Sequence, residues 1–325
     1  MSQTRTRIGD RVFRTASSTS ALLMTVMIAA IGIFLVLQAV PALNRNTEGY
    51  FGFLSYGQDW ITSDPQKMTF GIASILGSTV LISALALLLA MPIALGIAIF
   101  LSSYAPARMV KPLGFLVDML AAIPSIVYGL WGWQVLGPFL SDFYDWLHGW
   151  AGGVFLFTVY PNSPSFVTGR NIFTGAVVLA MMILPIIAAT AREIFNQTPA
   201  GQLEAALALG ATRWEVVRMT VLPFGFSGYI SGSMLGLGRA LGETMALYMI
   251  VSPLTEFRFS LFDGGTTFAT LIANAAPEFS NPLRAGAYIA AGLVLFILTF
   301  VVNAAARSLV VSKSTATPKP KKGAS

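Results

Sequence analysis

Apolar runs of membrane-crossing length recur along this chain, and they constrain the fold before any motif is considered. They lie at about 19–41, 69–101, 113–138, 173–196, 224–253 and 285–310. A bilayer core needs about 20 consecutive, predominantly apolar residues in a helix, so the pattern predicts an all-α, polytopic membrane protein with six transmembrane helices. Composition agrees: 55% of residues are apolar and only 10% charged, where soluble domains carry about 25% charged residues. The 69–101 and 224–253 segments exceed what a span needs, which predicts tilt, a kink or protrusion, and Pro92 is placed to kink the first. With no cysteine and a single histidine, His148, disulfides, thiolate chemistry and a histidine-based metal cluster are excluded. The first run is too long for a cleavable signal peptide.

The charge of +6 gathers at the chain ends and in short loops. That is the distribution of a topology signal, and no nucleic-acid partner is expected from it. Fourteen Lys and Arg side chains fall on the side that holds both termini and five on the other, so the positive-inside rule places both termini in the cytoplasm. Three regions follow: a basic cytoplasmic arm over 1–18, a six-span domain over 19–310, and a basic tail over 311–325 whose Pro, Lys, Ser and Thr content predicts disorder. The arm reads first as a topology determinant, with contact to anionic membrane lipid as the alternative. The outer loops hold the interfacial aromatics Tyr50, Trp60, Trp146, Trp150 and Tyr160, with His148 expected at the surface between two of them. Val154–Tyr160 is too short to span and is expected at the interface or packed on the bundle.

Two opposite charges interrupt the fifth run. Arg239 and Glu243 stand four residues apart in Gly236-Leu-Gly-Arg-Ala-Leu-Gly-Glu-Thr-Met-Ala246. A charge at the bilayer centre costs about 2.5–3.5 kcal/mol on insertion scales, so an ionisable residue there is a functional-site hypothesis by default. On one continuous helix, Gly228, Gly232, Gly236, Arg239 and Glu243 fall within about 80° of each other. The glycines form a seam that lets another helix approach closely, and the charges turn toward protein or an aqueous cavity. Two readings of the pair stand side by side. In one it is a neutralising ion pair that orients helices; in the other, Arg239 offers a guanidinium fork to an oxyanion.

The 199–222 connection has the signals of two short helices. Thr198 is an expected N-cap with Pro199 at the first helical position, Gln202 to Leu209 are helix formers, and Gly210 suits the left-handed position that ends a helix. Thr212 with Glu215 forms a capping box for a second helix, and Pro223 is expected to break the chain before the fifth span. In the third span, Pro124 and Ser125 predict a kink whose freed carbonyl the serine helps satisfy. Asp118 is expected to cap a helix or to pair with Arg108 or Lys111.

These residues carry a resemblance. Glu204-Ala205-Ala206, then Gly210, then Leu222-Pro223 resembles the EAA motif of permease subunits of ATP-binding-cassette importers, with Thr220 in place of the family's preferred isoleucine. The resemblance implies a type I ABC importer permease fold in which 199–222, through Glu204, Ala205, Ala206, Gly210 and Trp214, docks on an ATPase and transmits its closure. The Gly236–Ala246 stretch is similar to that of the PstC permeases of bacterial phosphate-specific transporters. Ala121-Ala-Ile-Pro-Ser-Ile-Val-Tyr-Gly-Leu-Trp-Gly132, Glu204–Glu215 and Thr266-Thr-Phe-Ala-Thr-Leu-Ile-Ala-Asn274 are similar as well.

That similarity implies an inner-membrane phosphate importer subunit with Arg239 and Glu243 in the substrate pathway. It also implies a PstA-like second permease, two copies of a PstB-like ATPase and a PstS-like external binding protein. The sequence has no Gly-x-x-x-x-Gly-Lys-Ser/Thr phosphate loop, so no cofactor is expected on this chain, and ATP and Mg belong to the partner ATPase. The alternatives are a permease for another oxyanion, such as sulfate or molybdate, and an ion-coupled secondary transporter using Arg239 and Glu243.

Overall fold

A computed structural model describes residues 8–47, 49–55, 60–64, 67–160, 163–254 and 258–314. Among these no strand forms, and only the isolated bridges Asn46–Met68 and Ile61–Thr69 interrupt a helical chain. The helices that position the site are α1 (Ile8–Leu43), α2 (Ala73–Ile99), α3 (Ala107–Ala121), α4 (Ser125–Trp131), α5 (Ser141–Ala151), α6 (Ile172–Asn196), α7 (Ala200–Ala208), α8 (Arg213–Val216), α9 (Leu222–Leu241), α10 (Met245–Ile250), α11 (Phe268–Asn274) and α12 (Pro282–Ser314).

Four helices are long and apolar enough to cross a membrane: α1, α2 with its π-turn Phe100–Tyr104, α6 and α12. α6 is the innermost, with 67% of its most apolar stretch buried against 0% for α1. The central contact is α2 on α6. Ala86, Ala90, Ala94 and Ala98 repeat every four residues and are fully buried, so the backbone of α2 comes close to Leu179, Ile183, Ile187 and Ala191 of α6, in the same core. Asn171 caps α6 by accepting from Thr174 N at 2.9 Å. A second core joins α1 to α12 through Ala39, Ala42, Phe70, Phe268, Ala287 and Ala291.

Several expectations change. The segment 113–138 is no single span: α3 and the helical run Ser125–Phe139 meet at 86° across Ala122–Pro124, because proline disfavours helix at the residue before it and cannot donate. The freed Leu120 carbonyl accepts from the Tyr128 hydroxyl at 3.0 Å, so the tyrosine does the work assigned to Ser125. Asp118 pairs with Arg192 of α6 at 3.8 Å, and not with Arg108 or Lys111, because α3 lies across the end of α6 and Gly114 admits the arginine there. α2 passes Pro92 unbroken.

The expected fifth span, 224–253, is α9 followed by a break and α10; α9 is long enough, at roughly 30 Å, but is less apolar than the four long helices. At the ends, α1 begins by Ile8 and α12 runs to Ser314. The remainder, 1–7 and 315–325, lies outside the described residues. Val154–Tyr160 packs on the bundle: Leu156 O accepts from Leu261 N at 2.8 Å and Phe157 meets the Phe262 ring at 5.8 Å. His148 is half-buried, with Nδ1 3.0 Å from Phe157 O.

Candidate functional site

The glycine seam of α9 faces α6. A Cβ on Gly228 would sit 2.5 Å from Ile194 Cγ1, one on Gly232 2.9 Å from Thr190 Cβ, and one on Gly236 3.0 Å from Ile187 Cγ1. Gly225 joins them against the Phe195 ring. Tyr229 adds a tie to α2, its hydroxyl donating to Met91 O at 2.9 Å.

Arg239 lies in the last turn of α9 and is half-buried. It lines a cleft of about 900 Å³ between α9 and α12, to which α9 also gives Ser231 and α12 gives Asn303 and Arg307. No ion pair joins Arg239 to Glu243 among the described residues, so the intrachain neutralising pair is not formed. The reason is local. α9 stops at Leu241, where Gly238 and Gly242 weaken the helix and a β-branched Thr244 follows. The projection that put both charges on one face assumed an unbroken helix to 253, and the chain turns between them.

Glu243 is only 8% exposed. Its Oε1 accepts from Ala246 N at 3.2 Å and closes the first turn of α10. α10 then packs on α4: a Cβ on Gly129 would lie 3.0 Å from Ala246 Cα, and one on Gly132 2.8 Å from Ile250 Cδ1.

At the other end, Gly210 has φ +85°. The Ala211 N–H reaches Ala206 O at 3.1 Å, closing α7 in the Schellman manner. The capping box forms: Thr212 N donates to Glu215 Oε2 at 2.7 Å, and Glu215 N to Thr212 Oγ1 at 3.4 Å. The Thr212 N–H, and after it the Thr212 hydroxyl donating to the same Oε2 at 2.8 Å, hold the Glu215 carboxyl below its usual pKa. Thr198 does not cap α7. Its hydroxyl donates back to Phe195 O at 2.7 Å, and Pro199 takes the cap position.

Pro223 causes no break. A π-turn, Val217–Val221, precedes it, with Leu222 N donating to Val217 O, and this longer loop of backbone absorbs the missing donor. Helix therefore continues from Arg213 to Leu241, roughly 43 Å. α7 buries no side chain; Glu204, Ala205 and Gly210 are exposed and Ala206 is half-buried. Leu207 (53%), Leu209 (89%) and Trp214 (54%) present an uncovered apolar patch beside them.

Three of the four segments singled out in the sequence thus converge on α10: Ala121–Gly132 packs on it, Gly236–Ala246 leads into it, and Thr266–Asn274 shares a cavity wall with it. The fourth, Glu204–Glu215, stands at the far end of the α8–α9 helix. Sequence reasoning missed Tyr128, whose only signal was its place four residues after Pro124, and Asn303 and Arg307, which the α9–α12 crossing brings to Arg239.

A family model described as binding-protein-dependent transport system inner membrane component matches residues 94–312. The phosphate transport system permease protein PstC 2 of Mycobacterium tuberculosis is 50% identical over 308 residues, covering 94% of this chain and 93% of its own. The phosphate transport system permease protein PstC of Mesorhizobium japonicum is 36% identical over 312 residues, covering 94% and 91%. Among solved structures, a bacterial ABC transporter involved in the import of the acidic polysaccharide alginate superposes with TM-score 0.56 at 17% identity, over 93% of this chain and 99% of that one. The inward-facing MetNI methionine ABC transporter gives 0.52 at 16%, over 74% and 94%. The fold is that of type I ABC importer permeases.

Proposed function

The chain belongs to the inner membrane components of binding-protein-dependent transport systems and, within them, to the PstC permeases, and from that premise we propose that it carries inorganic phosphate inward across the bacterial inner membrane, driven by ATP hydrolysed on other subunits. The observation that carries this reading is Arg239, a guanidinium with no ion-pair partner among the described residues, on the wall of a cleft between two helices. A planar fork of donors with no carboxylate beside it suits a phosphate oxygen pair.

The drive enters at the exposed patch on α7 and α8. A PstB-like ATPase, in two copies with its ATP and Mg, docks there through Glu204, Ala205, Ala206, Gly210 and Trp214. Helix from Arg213 to Leu241 carries the push toward Arg239, because caps and a continuous backbone transmit displacement and a loop would dissipate it. A PstA-like permease supplies the other half of the pathway and a PstS-like protein delivers phosphate from outside. Both termini lie in the cytoplasm, as the basic-residue bias requires.

The test is uptake of labelled phosphate by cells with and without this chain, with sulfate and molybdate as competitors. Uptake that needs the chain and the ATPase, and that only phosphate suppresses, is expected. Suppression by sulfate or molybdate without an effect of phosphate points to another oxyanion. Transport by the chain alone in vesicles with an ion gradient points to a secondary transporter.

A further inference from the structure

Beyond Glu243, α10 forms part of the wall of a second cavity, about 450 Å³, shared with the 265–274 segment, Trp133 and Arg170. Among the described residues, Arg170 is the one charged side chain on that wall, and none of them brings a carboxylate to it there. Its guanidinium stands over the Trp133 ring, 5.6 Å from the centroid, and its buried Nε has no hydrogen-bond partner among the described residues. A buried donor left unsatisfied costs about 1–3 kcal/mol, so the site lacks an acceptor.

The other polar groups sort into committed and free. The Thr266 hydroxyl donates to Leu254 O and that of Thr270 to Thr267 O, both at 3.1 Å. Tyr248 and Asn274 are exposed, and their side chains have no hydrogen bond among the described residues. The free groups are therefore a guanidinium, which only donates, and a phenol and an amide, which can each donate, and the set suits a ligand rich in acceptor oxygens. The wall is also fixed in place: Ser252 N donates to Arg170 O at 2.9 Å and Gly265 N to Ser252 O at 3.0 Å.

We propose that this cavity is a second anion station, holding one tetrahedral oxyanion against Arg170 before it reaches Arg239. The oxyanion is inorganic phosphate if the function proposed above holds, and the station rests on that reading. α10 joins the two stations: its first turn is held by Glu243, four residues after Arg239, and its other residues wall the cavity. Two weak sites in series let a charged ligand enter without being trapped.

The chain has no cysteine, so Met249→Cys on the cavity wall and Asn274→Cys on its rim each give this chain a single reporter thiol. In the assembled complex, the rates of modification by an anionic and a cationic methanethiosulfonate are compared, each corrected for its rate with a free thiol. The anionic reagent should react about tenfold faster. Arg170→Gln should erase that preference, Arg170→Lys should retain most of it, and millimolar inorganic phosphate should slow labelling where chloride at equal ionic strength does not. A preference indifferent to Arg170→Gln, equal slowing by chloride and phosphate, or no reaction at either thiol overturns the station. Phosphate uptake separates the two claims. A wild-type complex that carries no phosphate fails the proposed function, whereas one that carries it, with Arg170→Gln matching wild type in uptake and labelling, fails the station alone.

Discussion

The two ends of α9 are built in opposite ways. From Gly225 to Gly236 the helix lies directly on α6, with no room for a methyl group at Gly225 or Gly228 and little at Gly232 or Gly236. Two residues later, on the face turned to the α9–α12 cleft, nothing lies within 4 Å of a Cβ on Gly238, and α9 ends at Leu241. One end is clamped and continuous with the exposed capping box at Thr212, and the other stops beside Arg239 and hands over to a short helix held by Glu243. A rod packed along its length moves whatever its last turn carries.

The largest expected effect breaks the clamp. Gly228→Leu forces a side chain into Ile194 and should prevent accumulation of the complex, since overpacking a tight interface typically costs about 1–3 kcal/mol and more when the backbone cannot shift. Gly238→Ala is the counterpart at the free end. It adds a methyl group to open space and improves helix propensity, by about 0.8–1.0 kcal/mol at most, so the complex should assemble normally. Membrane abundance and co-purification of the partner subunits check both, and equal tolerance at the two positions would erase the contrast.

Next comes the tip itself. Arg239→Gln should lower phosphate uptake by roughly tenfold to a hundredfold, the loss of a charge-assisted hydrogen bond of about 1.5–3 kcal/mol, while the complex still assembles. A complex that falls apart would instead make Arg239 a holder of helices. At the driven end, Glu204→Arg should leave the permease folded, because α7 buries no side chain, yet weaken docking of the ATPase and separate ATP hydrolysis from uptake. Unchanged co-purification and transport would count against that role for α7.

How much of this was legible depends on which force decides each element. The α9 seam could be read because glycines at four-residue spacing have one geometric use, and the ends of α7 and α8 because Gly210 and the Thr212–Glu215 pair satisfy backbone groups within a few residues. The break after Leu241 was legible only in part: Gly242 and Thr244 weaken the helix locally, but apolar periodicity runs on past them, and the packing of α10 on Gly129 completes the turn. Thr198 misled because a threonine hydroxyl can serve the helix behind it as readily as the one ahead. Pro223 misled because a π-turn absorbed its missing donor. Arg170 read as one more outer-loop cation; Trp133, Tyr248 and Asn274 come to it from distant parts of the chain, and no local pattern announces that.

Glu243 tests the handover between the two regions at a finer scale. Glu243→Ala removes the acceptor for Ala246 N, a loss of about 0.5–2 kcal/mol by analogy with helix caps, and should loosen α10 without disturbing the clamp on α6. Hydrogen exchange should rise over 245–250 and stay unchanged over 225–236. A rise in both would mean that the free end and the clamped end are one cooperative unit.

The smallest effect lies at the capping box, where pH is the probe. The Glu215 carboxyl has its pKa lowered from the ordinary value of 4.5 by the Thr212 backbone and hydroxyl. A depressed carboxylate contributes its stabilisation in full above the unfolded pKa and loses it as pH falls through the folded one. The box should therefore be intact at neutral pH and open only below about 4.5. Glu215 is fully solvated, so the loss should stay local. Protection of the amides at 212–215, corrected for intrinsic exchange, should fall between pH 6 and pH 3, while the α9 seam, which holds no carboxylate or histidine, stays protected. Thr212→Ala removes the hydroxyl bond and keeps the backbone donor that lowers the Glu215 pKa most, so the acid-induced change at 213–215 should shrink only in part. Loss of protection spreading into 225–236 at the same pH would show that the box and the clamp melt together, and would undo the division between a capped driving end and an independently packed rod.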